Sequence, residues 1–162
     1  MPCSCAVDVD DALVARVVDG SRALVAIATE SISASPVEVT LPQLRALVVL
    51  SGQRAVTMSD VGRATGLSPS STTRLVERLE RKDLVVRRPS AASRRNTEVV
   101  LTAAGAAVIS AVMAARRARL REVLEAIAPE QRAGLCAAFE SFAQAAAAIP
   151  DTPFLEGAAR AT

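Results

Sequence analysis

The sequence has no histidine, no tyrosine and no tryptophan, and its only aromatic side chains are three phenylalanines. Without an imidazole there is no Ser-His-Asp or Cys-His catalysis and no histidine-ligated metal. The core must be aliphatic and alanine-rich. Three cysteines, Cys3, Cys5 and Cys136, are too few for a disulfide scaffold, and with scattered carboxylates they compose no metal site. The longest chargeless run, 99–115, is 17 residues and includes Thr102, Gly105 and Ser110, short of a membrane span. Ahead of Asp8, Asp10 and Asp11 the residues Met1-Pro2-Cys3-Ser4-Cys5-Ala6 hold no basic stretch and no apolar segment, unlike a secretory signal. These absences predict a soluble, cytoplasmic, non-catalytic protein with no cofactor. Gly66-Leu67-Ser68-Pro69-Ser70 resembles the start of a nucleophile elbow, but it has no strand before it and no base to serve it.

What is present is a chain of 162 residues, 51% apolar and 22% charged, enough for one ordinary domain. The net charge of +2 is unevenly spread. Residues 1–50 carry three basic and six acidic side chains, 51–105 carry ten and five, and 106–162 carry six and six. A positive middle third is the footprint of a polyanion-binding surface or of a solvated, salt-bridged helix face.

Apolar residues Leu13, Val14, Val17, Val18, Leu24, Val25, Ala28 and Ile32 keep the 3-4 spacing of a first helix over 11–32, closed by Ser33-Ala34-Ser35-Pro36. Thr40 and Gln43 have the spacing of a reciprocal cap for a second helix through Leu44, Leu47, Val48 and Leu50. Thr57-Met58-Ser59-Asp60 starts a short third helix that Gly66 ends. Ser68-Pro69, a capping hydroxyl followed by proline at the first helical position, opens a fourth helix to about Lys82. On it Thr72, Leu75, Val76 and Leu79 share one face, while Ser70, Thr73, Arg74, Glu77 and Arg81 take the other, with Ser71 and Arg78 at the flank. A short helix, a glycine turn and a second helix with a polar outer face is the helix-turn-helix plan, in which the second helix enters the major groove.

Beyond Asp83 the period changes. Leu84-Val85-Val86 and Thr97-Glu98-Val99-Val100-Leu101 read as a two-stranded hairpin with a polar loop bearing Arg94 and Arg95. Thr102 caps a long fifth helix through Ile109, Val112, Met113, Leu120, Val123, Leu124 and Ile127. A sixth starts at Pro129 and is predicted to bury Leu135, Ala138, Phe139, Phe142, Ala146 and Ile149. The first, fifth and sixth helices carry more apolar surface than the compact unit between them needs, which points to a second identical chain.

The stretch from Val61-Gly62-Arg63-Ala64-Thr65-Gly66-Leu67 through Ser68-Pro69-Ser70-Ser71-Thr72-Thr73-Arg74, continued by Arg87-Arg88, the Arg94-Arg95 loop and Leu101-Thr102-Ala103-Ala104-Gly105, closely resembles the MarR family of bacterial transcription regulators. The resemblance spans roughly 10–150 and implies a mainly α (α+β) winged helix-turn-helix in one domain, 1–162. In that arrangement 11–33 and 102–149 supply dimerisation helices and 40–101 the DNA-binding lobe. It implies a homodimer on palindromic double-stranded DNA, usually a repressor released by a small lipophilic effector or by thiol oxidation. Ser93 stands where many members have an aspartate that holds the wing arginine, and Gly62 where alanine is usual, loosening the third helix by up to about 1 kcal/mol.

The residues that would meet DNA are Ser68, Ser70, Ser71 and Thr73 at the start of the fourth helix, with Ser68 also a cap, and Arg74 and Arg78 along it. Arg74 matches a family arginine with the reach for guanine O6 and N7. Arg95 matches the minor-groove arginine of the wing, beside Arg94. Arg87 and Arg88 leave a strand on opposite faces, so at most one, taken as Arg87, is predicted to face phosphate while the other pairs with an acid. Arg116, Arg117, Arg119 and Arg121, followed by Glu122 and Glu125, read as a solvated helix face or as dimer salt bridges. Family members that sense peroxides use a cysteine near the first helix, which makes Cys3, Cys5 and Cys136 redox candidates. The tyrosines that help activate such a thiol are absent, however, and Cys136 reads as a small buried hydrophobe beside Leu135 and Phe139. A thiol-based sensor and a winged-helix module that binds an acidic protein remain the alternatives.

Overall fold

The structure is a computed structural model that describes residues 9–52, 56–89 and 97–149. Helix α1 (Asp11–Glu30) runs into a 3-10 turn (Ser31–Ala34), followed by α2 (Leu41–Ser51), β1 (Val56–Thr57), α3 (Met58–Thr65), α4 (Pro69–Glu80), β2 (Val85–Pro89), β3 (Thr97–Leu101), α5 (Ala103–Glu125) and α6 (Pro129–Ala147). Each early helix starts on a local signal. The Asp10 carboxylate accepts the Leu13 N–H at 2.7 Å, and Thr40 and Gln43 form a reciprocal box at α2. At α3 the same box is built from Thr57 and Asp60, with the Thr57 hydroxyl donating to the carboxylate at 2.6 Å.

The main cluster of buried apolar residues lies within 39–112, with Ile27 of α1 buried outside it. Leu44, Ala46, Leu47 and Leu50 of α2 meet Val61 of α3 and Leu75, Val76 and Leu79 of α4, and Val56, Leu84, Val85, Val99, Val108 and Val112 close it from the sheet and α5. Branched aliphatics fill it, as a chain without tyrosine or tryptophan must. The sheet has three strands in the order β1-β3-β2, both pairings antiparallel, with Val56 opposite Val99 and Val85 opposite Leu101. The third strand corrects the two-stranded expectation: β1 is two residues long and too short to show an alternating pattern.

Thr102 joins the sheet to α5. Its N–H donates to the Leu84 carbonyl at 3.1 Å, and its hydroxyl donates to the Asp83 carbonyl at 2.7 Å while accepting the Gly105 N–H at 3.0 Å. A Cβ on Gly105 would stand 2.2 Å from the Leu84 carbonyl oxygen, so only glycine lets α5 come this close.

The flanking helices behave otherwise. Ile27 is the only buried residue of α1, and α6 has none. The predicted burial of Leu135, Ala138, Phe139, Phe142, Ala146 and Ile149 does not occur within the protomer: Phe139 is 49% and Phe142 59% exposed. Periodicity marks the apolar face of a helix but not whether the rest of the chain packs on it. Cys136 is likewise exposed rather than a buried hydrophobe. Arg116 departs from the predicted solvated run. It is half-buried against the end of α1, donating to the Ala28 carbonyl at 3.3 Å and to Ser31 Oγ at 3.4 Å, and burial holds its guanidinium below the ordinary value.

Candidate nucleic-acid interface

The turn between α3 and α4 is made by Gly66, whose φ of 67° lies in the left-handed region, and its N–H closes α3 on the Arg63 carbonyl at 3.2 Å. Ser68 then caps α4: its Oγ accepts the Ser71 N–H at 3.4 Å and donates to Ser71 Oγ at 3.0 Å. Pro69 takes the first helical position. Gly62 turns out to have a packing reason. A Cβ there would stand 2.9 Å from Oγ1 of the buried Thr72, so the residue that weakens α3 as an isolated helix also lets it approach α4 closely.

The two faces of α4 divide as the spacing predicts. Thr72, Leu75, Val76 and Leu79 are buried, which fixes the helix axially and in rotation. Ser68, Ser70, Ser71, Arg74 and Arg78 are exposed, and Thr73 is half-exposed with its hydroxyl donating to the Pro69 carbonyl at 3.0 Å. Arg74 and Arg78 meet no carboxylate among the described residues. They stand as cations on a helix anchored by its buried face, with the exposed hydroxyls of Ser68, Ser70 and Ser71, which bond among themselves, at its start.

The base of the wing is ion-paired. Arg87 Nε and Nη2 donate to Glu80 Oε2 at 2.9 and 2.6 Å, tying β2 to the end of α4. That hydrogen bond holds the Glu80 carboxyl below its usual range and raises the Arg87 guanidinium in turn. Arg88 lies 3.5 Å from a Glu98 carboxylate oxygen across the strand pair. Both arginines therefore have acids beside them, including Arg87, the one expected to face phosphate. Glu80 escaped sequence reasoning because its partner lies on β2, beyond the turn that ends α4, where helical spacing no longer relates the two. Asp60 is a second positioning acid: its carboxyl is held low by the Thr57 hydroxyl bond and by Arg63. Lys82 reaches back to donate to the Glu38 carbonyl.

Arg94 and Arg95 of the wing loop lie outside the described residues, as do Cys3 and Cys5. Cys136 Sγ donates to Glu140 Oε1 at 3.6 Å, and the carboxylate pushes the thiol's pKa up, opposite to what a reactive thiolate requires. Among the described residues no three His, Cys, Asp or Glu side chains come together to hold a metal, and no helix is long and apolar enough to cross a membrane.

A three-helix lobe whose third helix presents a polar outer face, closed by a hairpin, defines a winged helix-turn-helix protein. The sequence model described as the MarR family matches residues 38–96. The Mycobacterium tuberculosis protein RV1404 has a crystal structure that is 34% identical and superposes with a TM-score of 0.78, over 86% of this chain and 95% of that one. A MarR family protein from Bacillus stearothermophilus is 26% identical with a TM-score of 0.71, over 83% and 96%. The uncharacterized HTH-type transcriptional regulator YfiV of Bacillus subtilis (strain 168) is 30% identical over 95 residues, and the match spans 59% of its length. The chain belongs to the MarR family, a family of transcription regulators.

Proposed function

We propose that the protein is a homodimeric, sequence-specific DNA-binding regulator of transcription in the cytoplasm, with no catalytic activity. In this reading α4 of each protomer enters a major groove of palindromic double-stranded DNA. Arg74 and Arg78, with Ser70, Ser71 and Thr73, supply the contacts to bases and phosphates, while Ser68 serves first as the cap. The observation that carries the reading is the division of α4, with one face locked into the core and the other presenting Arg74 and Arg78 without a carboxylate among the described residues. Wing arginines Arg94 and Arg95 extend the footprint to the minor groove. Arg87 is assigned a positioning role, since Glu80 already occupies it.

The apolar faces of α1, α5 and α6 supply the dimer contact. Repression with release by a small lipophilic effector then works by population shift: the effector binds the half-site spacing that does not fit DNA more tightly than the spacing that does.

The test is a binding titration of purified protein on duplexes from upstream of its own gene, across a salt series. Affinity for the best duplex is expected to fall log-linearly with salt. Arg74→Ala is expected to cost about 1–3 kcal/mol of discrimination between that duplex and a scrambled one. Binding that ignores salt and is unchanged in Arg74→Ala would exclude the DNA reading and leave a module that binds an acidic protein.

A further inference from the structure

At the corner between α5 and α6 lies an open groove of about 330 Å³ lined by Arg117, Leu120, Arg121, Leu124, Glu125 and Arg132. Its three cations differ in what they already hold. Arg132 donates to the carbonyls of Ile127 and Glu125 at 3.0 and 3.1 Å, closing the end of α5. Arg119, just outside the groove, pairs with Glu30 and Glu122. Arg117 and Arg121, one helical turn apart on either side of Leu120, meet no carboxylate among the described residues. The groove therefore has an apolar floor and a rim on which three arginines outweigh the Glu125 carboxylate, Arg117 and Arg121 being the two without a partner among the described residues.

The complementary shape stands at the start of α1. Asp10 and Asp11 meet no cation among the described residues, and directly behind them Val14, Val17 and Val18 lie about half-exposed. This is an acidic tip followed by an apolar stripe. The tip does not belong to its own groove: the other end of α1 is held to α5 through Ala28, Ser31 and Arg116, and 17 residues of helix carry Asp11 roughly 25 Å from that crossing.

We propose that the groove is the seat for the first turns of α1 from a second copy, with Asp10 and Asp11 against Arg117 and Arg121, so that charge sets the register of the dimer. A two-fold axis makes two such seats. The inference rests on the homodimer reading above and adds which residues choose the partner.

Sedimentation equilibrium tests it on the full-length chain. Arg117→Glu with Arg121→Glu makes groove and tip both acidic. Asp10→Asn with Asp11→Lys makes both basic, while asparagine keeps the N-cap. Each variant alone is expected to raise the dimer dissociation constant about tenfold or more through like-charge contact. Mixed in equal amounts the two should regain wild-type association, because the mixed dimer pairs unlike charges at both seats. The two variants change different helices, so misfolding of one leaves the other to show the loss. Wild-type association in both variants would overturn the charge register and leave the dimer standing. So would weakening that mixing does not repair, which assigns the groove another occupant. A wild-type chain that stays monomeric overturns the dimer reading itself.

Discussion

Two parts of this chain with the same helical spacing of apolar residues follow opposite rules of burial. In the lobe 39–112 the apolar residues read from the sequence are the residues that pack: Leu47, Leu50, Leu79, Leu84 and Val99 are almost fully enclosed. In α1, the second half of α5 and α6 the same kind of spacing produces Val14, Val25, Leu124, Phe139 and Phe142 at 40–60% exposure or slightly above. The lobe encloses its own apolar side chains, and the flanking helices leave theirs open to solvent in the single chain. On the proposed reading recognition and assembly fall to different elements, joined where α5 leaves Thr102 and where Arg116 meets the end of α1.

The largest effects should come from testing that contrast directly. Leu47→Ala removes an enclosed side chain and is expected to lower unfolding free energy by about 2–5 kcal/mol at any protein concentration. Phe142→Ala should leave the unfolding of a dilute protomer nearly unchanged and instead weaken self-association, so denaturant curves at two concentrations separate the cases. An equal, concentration-independent loss for both would erase the distinction.

Gly105→Ala probes the joint between the two parts. The added methyl meets the Leu84 backbone carbonyl, which lacks the freedom of a side-chain end, and a loss of about 1–3 kcal/mol is expected by urea unfolding. An alanine variant as stable as wild type would mean that α5 is free to slide on the sheet.

The smallest effect concerns the wing base. Glu80 is held below its ordinary 4.5, so its pairing with Arg87 contributes fully above that pH and is lost as pH falls through the lowered folded value. Both side chains are about one-third exposed, which limits the contribution to under about 1 kcal/mol. Glu80→Gln should therefore unfold slightly earlier than wild type at pH 7 and converge with it once the Glu80 carboxyl is protonated in the folded state as well, below its lowered value. A gap that widens on acidification would contradict the pairing.

Much of the candidate interface was legible because its signals are local. Thr57 with Asp60, the left-handed Gly66, and Ser68-Pro69 act within one helical turn, and the spacing of Thr72, Leu75, Val76 and Leu79 leaves Arg74 and Arg78 only one place to go. The pairing of Arg87 with Glu80, the contact behind Gly62 and the half-burial of Arg116 were not legible. Each depends on two separate elements meeting, which the period within one element does not encode.

Amino-acid order alone settled where helices begin and stop, which face of each is apolar, and that an aliphatic core without imidazole excludes histidine chemistry, since caps, turns and periodicity act between near neighbours. Which apolar faces close on their own chain was decided only by the folded arrangement. So were the joining of β1 to the hairpin, the close seat of α5 at Gly105 and the exposure of Cys136. Burial depends on how distant elements share a finite interior, and once α2–α4, the sheet and the first turns of α5 have filled it, α6 is left outside.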